Sequence, residues 1–362
     1  MAPGLADLAL NEVRALARRS RLPALETTVR DDAIAVAWPG DPAELHALRT
    51  VQSVARVWRF DVPRPKALLD NTAVRTLVDG VRTIVESARP ARFEGLRLSA
   101  AGSGSAVMQR LAEALAAGVG LPLAGDAGDL VVRVRRGEGR AWEVLVRTTP
   151  RPLSVRAWRV CDRPGGIDAA LAAALVRLAG VRPGDRVANP MLGGGTLLIE
   201  RALAGPAACL HGVDTDLAAL ACAERNAAAA GVAERMVLAP GDATLAIDPP
   251  NADPAAADPA TVEAPAAGGG APRRRYDLVL VDPPWGDAVG DHGANADLYT
   301  ALLRSAAAQT VTGGHLLLVT HEVRLAERLL GDHSAWAVLH ARRVWQGGHR
   351  PLCVVLERLP GG

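Results

Sequence analysis

Lysine is nearly missing from this chain. Lys66 is the only one among 41 basic residues, so arginine carries the positive charge. Tyrosine and phenylalanine occur twice each. The four cysteines, Cys161, Cys209, Cys222 and Cys353, show no CxxC spacing, which argues against a zinc ribbon or a disulfide framework. Cys209, Cys222 and Cys353 lie in apolar or helical contexts and read as plain buried thiols. No uncharged apolar run is long enough to span a bilayer, and the opening Met1–Asp7 is not a basic segment followed by an apolar one. These absences lead us to expect a cytoplasmic protein with neither membrane nor metal; we separately expect a monomer.

What is present describes a globular chain. Its 362 residues suffice for two or three domains, and 49% hydrophobic with 22% charged residues is not a disordered composition. The net charge of +2 is unevenly spread. Residues 1–180 hold 26 basic and 19 acidic side chains, and residues 181–362 hold 15 and 20. An excess of seven in the first half points to a polyanionic partner, with a merely basic surface as the competing reading.

Along the first half, Leu5, Leu8, Val13 and Leu16 recur at helical spacing, and Ile34, Val36 and Trp38 alternate as in a strand. Asp41 can cap a helix from Pro42, and Val51–Val62 alternates again, giving a small α+β unit over residues 1–62. Pro63–Lys66 punctuates the chain. A second α+β unit is expected over residues 63–150, closing with a hairpin of Leu130–Arg135 and Trp142–Arg147. Arg133, Arg135, Arg140 and Arg147 on that hairpin either solvate an open sheet face or touch phosphates. Residues 151–180 read as a basic linker and an Ala/Leu helix.

From residue 181 apolar strands alternate with Ala-rich helices, which predicts an α/β doubly wound, mostly parallel sheet over 181–362. A Pro/Ala/Gly tract at 249–275 has no periodicity and reads as a disordered insertion.

In such sheets ligands sit at the carboxyl ends of the strands. The first strand ends in Asn189-Pro190-Met191-Leu192-Gly193-Gly194-Gly195-Thr196, and the following helix carries Glu200. Glycines at that turn let a ligand approach the backbone. Glu200 either holds the glycine loop or the charged end of a ligand, or is a surface helix residue. The second strand ends in Asp214-Thr215-Asp216, where an acid can accept both hydroxyls of a ribose; Asp216 also suits a helix N-cap. The third ends in Gly241-Asp242-Ala243, where Asp242 can accept an adenine amine or simply close its turn. A dinucleotide site would need a third glycine, and Thr196-Leu197-Leu198 follows instead. An adenosine ligand without a pyrophosphate fits better, namely S-adenosyl-L-methionine. The fourth strand, Leu278–Val281, ends in Asp282-Pro283-Pro284-Trp285. That turn joins a carboxylate, free carbonyls and an aromatic face, an acceptor set for the exocyclic amine of a stacked base.

These motifs resemble the THUMP-domain class of RNA guanine-N2 methyltransferases. The resemblance rests on GLADLALNEV, NPMLGGGTLLIE, GVDTD, PGDA and DLVLVDPPWG, and more loosely on RFDVPRPKALL. It implies a ferredoxin-like domain (1–62), a THUMP domain gripping tRNA or rRNA (63–150) and a class I methyltransferase domain with a seven-stranded sheet. It further implies donor contacts along Asn189, Met191, Gly193, Gly195, Thr196, Glu200, Asp214, Asp216, Asp242 and Ala243, and catalysis at Asp282, Pro283, Pro284 and Trp285. Where the family's glycine motif has Asp, Cys and Ser, this chain has Asn189, Leu192 and Gly194. Two alternatives stay open: an adenine-N6 nucleic-acid methyltransferase, and a non-catalytic THUMP protein with a decayed donor site.

Overall fold

The computed structural model describes residues 1–88, 91–247, 275–283, 295–331 and 333–361. Most of the 249–275 tract, together with Pro284 and Trp285, lies outside them. The chain divides into two units. One comprises Met1–Arg19, Pro23–Ala37 and Val155–Gly362, and the other Ser20–Leu22 and Trp38–Ser154.

The chain opens with helix α1 (Ala6–Arg19) and the antiparallel pair β1 (Thr27–Val29) and β2 (Ile34–Val36). These belong to the unit that contains the C-terminal half, so the expected boundary after residue 62 does not separate them as a domain. The reason is packing. Leu5 and Leu8 share a core with Leu171 and Leu175, Glu12 pairs with Arg177 at 2.9 Å, and Asp7 takes a two-pronged pair from Arg342 at 2.6 and 2.7 Å.

The second unit is built from β3 (Ala55–Phe60), α2 (Asn71–Ser87), β4 (Leu96–Ala100), α3 (Ala106–Val119), β5 (Leu130–Arg136) and β6 (Trp142–Arg147). Its sheet runs β3-β6-β5-β4, with only the β4–β5 pair parallel. Strand β3, expected upstream of a boundary at 62, pairs with β6 from Ala55↔Arg147 to Phe60↔Trp142, so the two expected N-terminal domains share one sheet. Val132, Val134, Val144 and Val146 turn inward with Leu77, Val81, Leu111 and Leu115 from the helices. The hairpin arginines divide in role. Arg133 and Arg140 stay exposed, Arg135 pairs with Glu143 at 2.9 Å, and Arg147 donates to the carbonyls of Asp129, Thr149 and Pro150.

The remaining elements of the first unit are α4 (Ala169–Ala179), β7 (Arg186–Asn189), α5 (Thr196–Ala204), β8 (Cys209–Asp214), α6 (Leu217–Ala229), β9 (Val237–Pro240), β10 (Tyr276–Val281), α7 (Asn295–Gln309), β11 (Thr310–Thr320), α8 (Val323–Gly331), β12 (Trp336–Arg343) and β13 (Leu352–Arg358). They form a seven-stranded sheet of order β12-β13-β11-β10-β7-β8-β9, in which only β13 makes antiparallel pairs, with β11 and β12. The unbroken apolar run of β10 follows from two covered faces. Leu278 and Leu280 pack with α4 and α5, while Val279 and Val281 pack with α7. No described helix is long and apolar enough to cross a membrane.

The basic stretch after residue 151 is largely part of this unit, not a free linker. Trp158 is buried, and Arg156 reaches Glu200 at 3.0 Å with both side chains buried. The cysteine expectation is also corrected. Cys161 and Cys222 are joined as a disulfide across a Cα–Cα distance of 5.4 Å, leaving Cys209 and Cys353 as buried thiols. Sixty-one residues of separation hid the pairing from a spacing argument.

Candidate active site

The carboxyl ends of β7, β8 and β10 open on one cleft of about 300 Å³. Its lining includes Asn189, Met191, Gly193 and Thr196 from the first strand end, Asp214 and Asp216 from the second, and Asp282 and Pro283 from the fourth. Elements expected to hold a donor and elements expected to meet an acceptor therefore share one cavity.

The glycine loop is shaped by backbone limits. Gly193 and Gly195 have φ of +55° and +81°, the left-handed region that side chains disfavour. Gly212 on β8 gives room for Leu192, because a Cβ there would stand 2.8 Å from the leucine side chain. Leu192 is buried and takes up the space beneath the loop.

Asp214 is fixed by two backbone donors. Gly193 N–H donates to Oδ2 at 2.8 Å and Asp216 N–H to Oδ1 at 2.9 Å. Each oxygen keeps a second acceptor position, the requirement for holding a pair of ribose hydroxyls. Asp216 caps α6 through Ala218 N–H and also pairs with Arg163, so its expected capping role is present. The Ala218 hydrogen bond, followed by the Arg163 charge, holds its carboxyl below the usual range.

Asn189 is almost fully buried. Its Nδ2 donates to Leu280 O at 2.7 Å and Met191 O at 3.3 Å, which ties β7 to β10 and closes the loop. A carboxylate in this orientation would have no hydrogen for either carbonyl, which explains why the amide fits here.

Four expected donor contacts do not line the cleft among the described residues. Gly195 shapes the loop from behind, where a Cβ would meet Ala223 at 3.1 Å. Glu200 is buried against Arg156, so its charge is used inside the fold. Asp242 accepts from Thr244 N and Oγ1 at 2.8 and 2.7 Å, closing its own turn, and Ala243 is buried in the core.

Sequence reasoning missed two parts of the site. The segment Arg163–Ile167 forms a wall of the cleft. It is secured by Asn226, whose Oδ1 accepts Cys161 N–H at 2.9 Å and whose Nδ2 donates to the carbonyls of Cys161 and Gly194, each at 2.9 Å. A lone asparagine in an Ala-rich helix was the available signal. The other is a buried network close enough to Asp282 to feel its charge. Tyr299 donates or accepts at Thr320 Oγ1 over 2.5 Å, Glu322 N–H donates to the same hydroxyl, and Asn295 Nδ2 donates to Glu322 at 3.0 Å. Burial, with the charges of Glu322 and Asp282 nearby, pushes the Tyr299 hydroxyl up to about 12, so it stays protonated. No described group of three His, Cys, Asp or Glu side chains is placed to hold a metal.

Residues 156–259 and 263–351 match the UPF0020 family, described as an RMKL-like methyltransferase domain. The chain belongs to this methyltransferase family. It is 32% identical over 257 residues to the tRNA (guanine(6)-N2)-methyltransferase of Thermus thermophilus, covering 70% of this chain and 68% of that protein. The crystal structure of TrmN from Thermus thermophilus matches with a TM-score of 0.71 at 28% identity, over 99% of this chain and 98% of that one. The structure of SMU.472 complexed with SAH matches with a TM-score of 0.62 at 15% identity, over 100% and 97%, and shares the fold.

Proposed function

We propose that this chain transfers a methyl group from S-adenosyl-L-methionine to the exocyclic N2 of a guanosine in tRNA, in the cytoplasm. The observation that carries the reading is the shared cleft, in which Gly193 and Asp214 stand in one cavity with Asp282 and Pro283. The named activity of the Thermus relative supplies the base and the RNA class.

In this reading Asp214 accepts the ribose hydroxyls, and the glycine loop lets the adenosine and its methionine arm lie against the backbone. Asn189, Met191 and Thr196 complete that side. When bound, the donor supplies an electrophilic methyl on a sulfonium. Asp282 and the Pro283 carbonyl accept the two hydrogens of the target amine. This turns the nitrogen lone pair, otherwise delocalised into the ring, toward the methyl carbon. The nitrogen would take the methyl as its bond to sulfur breaks, with the electron pair staying on sulfur, and Asp282 or water would take up the surplus proton. Rate enhancement comes from orientation and a preformed electrostatic site. Trp285 and Pro284, outside the described residues, take the stacking and turn-forming roles inferred from the sequence, with the base out of its stack.

The second unit is read as the tRNA-gripping part, with the THUMP role that the resemblance implies. Its residues hold 18 basic and 12 acidic side chains, an excess of six. Arg133 and Arg140 remain exposed for phosphate contact.

Calorimetric titration with S-adenosyl-L-methionine tests the donor half of this reading. Saturable one-to-one binding is expected. Absence of heat at millimolar donor would contradict it and favour a protein with a decayed donor site.

A further inference from the structure

The turn between β12 and β13 leaves the sheet at the same edge as Asp282. Strands β10 and β11 run parallel with Val281 opposite Leu318, and β11 ends at Thr320 opposite Leu352, the first residue of β13. Leu352, at the base of the hairpin, thus stands two strand spacings from β10, about 10 Å across the sheet.

This tip is stiff. Gln346 and His349 exchange backbone hydrogen bonds at 3.0 and 2.9 Å around Gly347 and Gly348, whose φ values are +56° and +88°. Positive φ at both central residues is the tight hairpin turn that matches strand twist. Val344 below it is fully buried, and the His349 ring meets His321, the residue after β11, at 5.2 Å in an edge-on contact.

The rigid turn holds up an unusual pair of side chains. Trp345 is 46% exposed, and it is the only tryptophan among the exposed large hydrophobics of the described residues. The Arg350 guanidinium lies 5.4 Å from its ring centre, and Arg350 is exposed. The two side chains form a cation–π pair on a tight turn, which holds an exposed indole and a guanidinium side by side at the surface. Such a pair suits an unpaired nucleotide: every base offers a face to stack on the indole, and the guanidinium can hold the adjoining phosphate.

Resting on the reading of the cleft as an RNA methyl-acceptor site, we propose that Trp345 and Arg350 form a second contact for the substrate RNA. Trp345 stacks an unpaired base next to the target guanosine, and Arg350 holds the backbone phosphate beside it. The hairpin thereby helps choose targets whose neighbouring nucleotide can leave its stack.

The test uses the full chain, unmodified tRNA transcripts and S-adenosyl-L-methionine, with Trp345→Ala, Trp345→Phe and Arg350→Ala. Trp345→Ala is expected to raise KM for tRNA about tenfold, equivalent to about 1.4 kcal/mol, with donor Kd and Tm unchanged. Trp345→Phe is expected to recover most of that loss. Arg350→Ala is expected to lower the salt slope of tRNA binding by about one. An unchanged KM for Trp345→Ala, or an equal loss in donor binding, overturns the proposal while leaving the methyltransferase reading intact. If Trp345→Ala lowers Tm, the Arg350→Ala salt slope decides. If the wild-type chain methylates no tRNA transcript, the reading of the cleft fails first and this inference with it.

Discussion

Asp282 and Asn226 show how single side chains divide the work of the cleft. Asp282, Asp214 and the glycine loop all line it; in the proposed reading Asp282 meets the acceptor base and the other two meet the donor. In that reading, removing Asp282 takes away an acceptor needed most in the transition state. Asp282→Ala is expected to lower kcat by about 100-fold or more while leaving donor Kd within about twofold. Loss of donor binding in calorimetry would show that the roles are not separate. Asn226 works at a distance, bracing Gly194 and Cys161 through three hydrogen bonds of 2.9 Å. Asn226→Ala leaves buried backbone groups unpaired, at about 1–3 kcal/mol, and frees the glycine loop. Both a lower Tm and a weaker donor Kd are expected, and a lower Tm with an unchanged donor Kd would confine Asn226 to stability.

His211 supplies a pH test at the same scale. It is buried against the Tyr276 hydroxyl at 2.6 Å, and burial pushes its imidazole below the ordinary value of 6.5. The unfolded chain therefore takes up the proton first as pH falls. Stability from this group is present above pH 6.5 and is lost as pH drops from there toward the folded value. His46 and His333 shift the same way for the same main reason, while the upward-shifted Asp277 opposes them. Melting curves from pH 7.5 to 5 should show a falling Tm, with a shallower slope in His211→Asn. An identical slope in that variant would contradict the assignment.

At the scale of elements, the linker and α5 are joined by the Arg156–Glu200 pair, whose side chains are 7% and 0% exposed. Breaking such a pair from one side leaves a buried charge. Glu200→Ala is expected to cost about 3–5 kcal/mol in denaturant unfolding, and a cost below about 1 kcal/mol would mean that water already reaches Arg156. The same pair shows the limit of reading a sequence. Glu200 stood at the right place on α5 for a ligand contact, but nothing local revealed that Arg156, 44 residues earlier, would claim it. The central strands were legible because both their faces are covered, which makes them continuous apolar runs. Strand β12 was not, since as an edge strand it leaves Val338 and Leu339 exposed and breaks register beside them. Asp214 and the glycine loop were legible because strand-end chemistry is local. The Arg163–Ile167 wall was not, because its place depends on contacts with α6.

At the scale of the molecule, the charge asymmetry seen in the sequence follows the two units. The unit of Trp38–Ser154 with Ser20–Leu22 carries an excess of six positive charges, and the methyltransferase unit is net negative by four. The expected separation into domains at 62 failed because strand pairing and ion pairs over long sequence distances decide such boundaries, and the sequence displays neither. The expected fold of the C-terminal half succeeded because alternating strands and helices leave few topologies to choose from. The measurement that bears most directly on the central claim is nucleoside mass spectrometry of tRNA from a strain lacking this chain, complemented with wild type or with Asp282→Ala. The account predicts loss of an N2-methylguanosine, restored by the wild type and not by the variant. Unchanged N2-methylguanosine, or loss of N6-methyladenosine in its place, would contradict it.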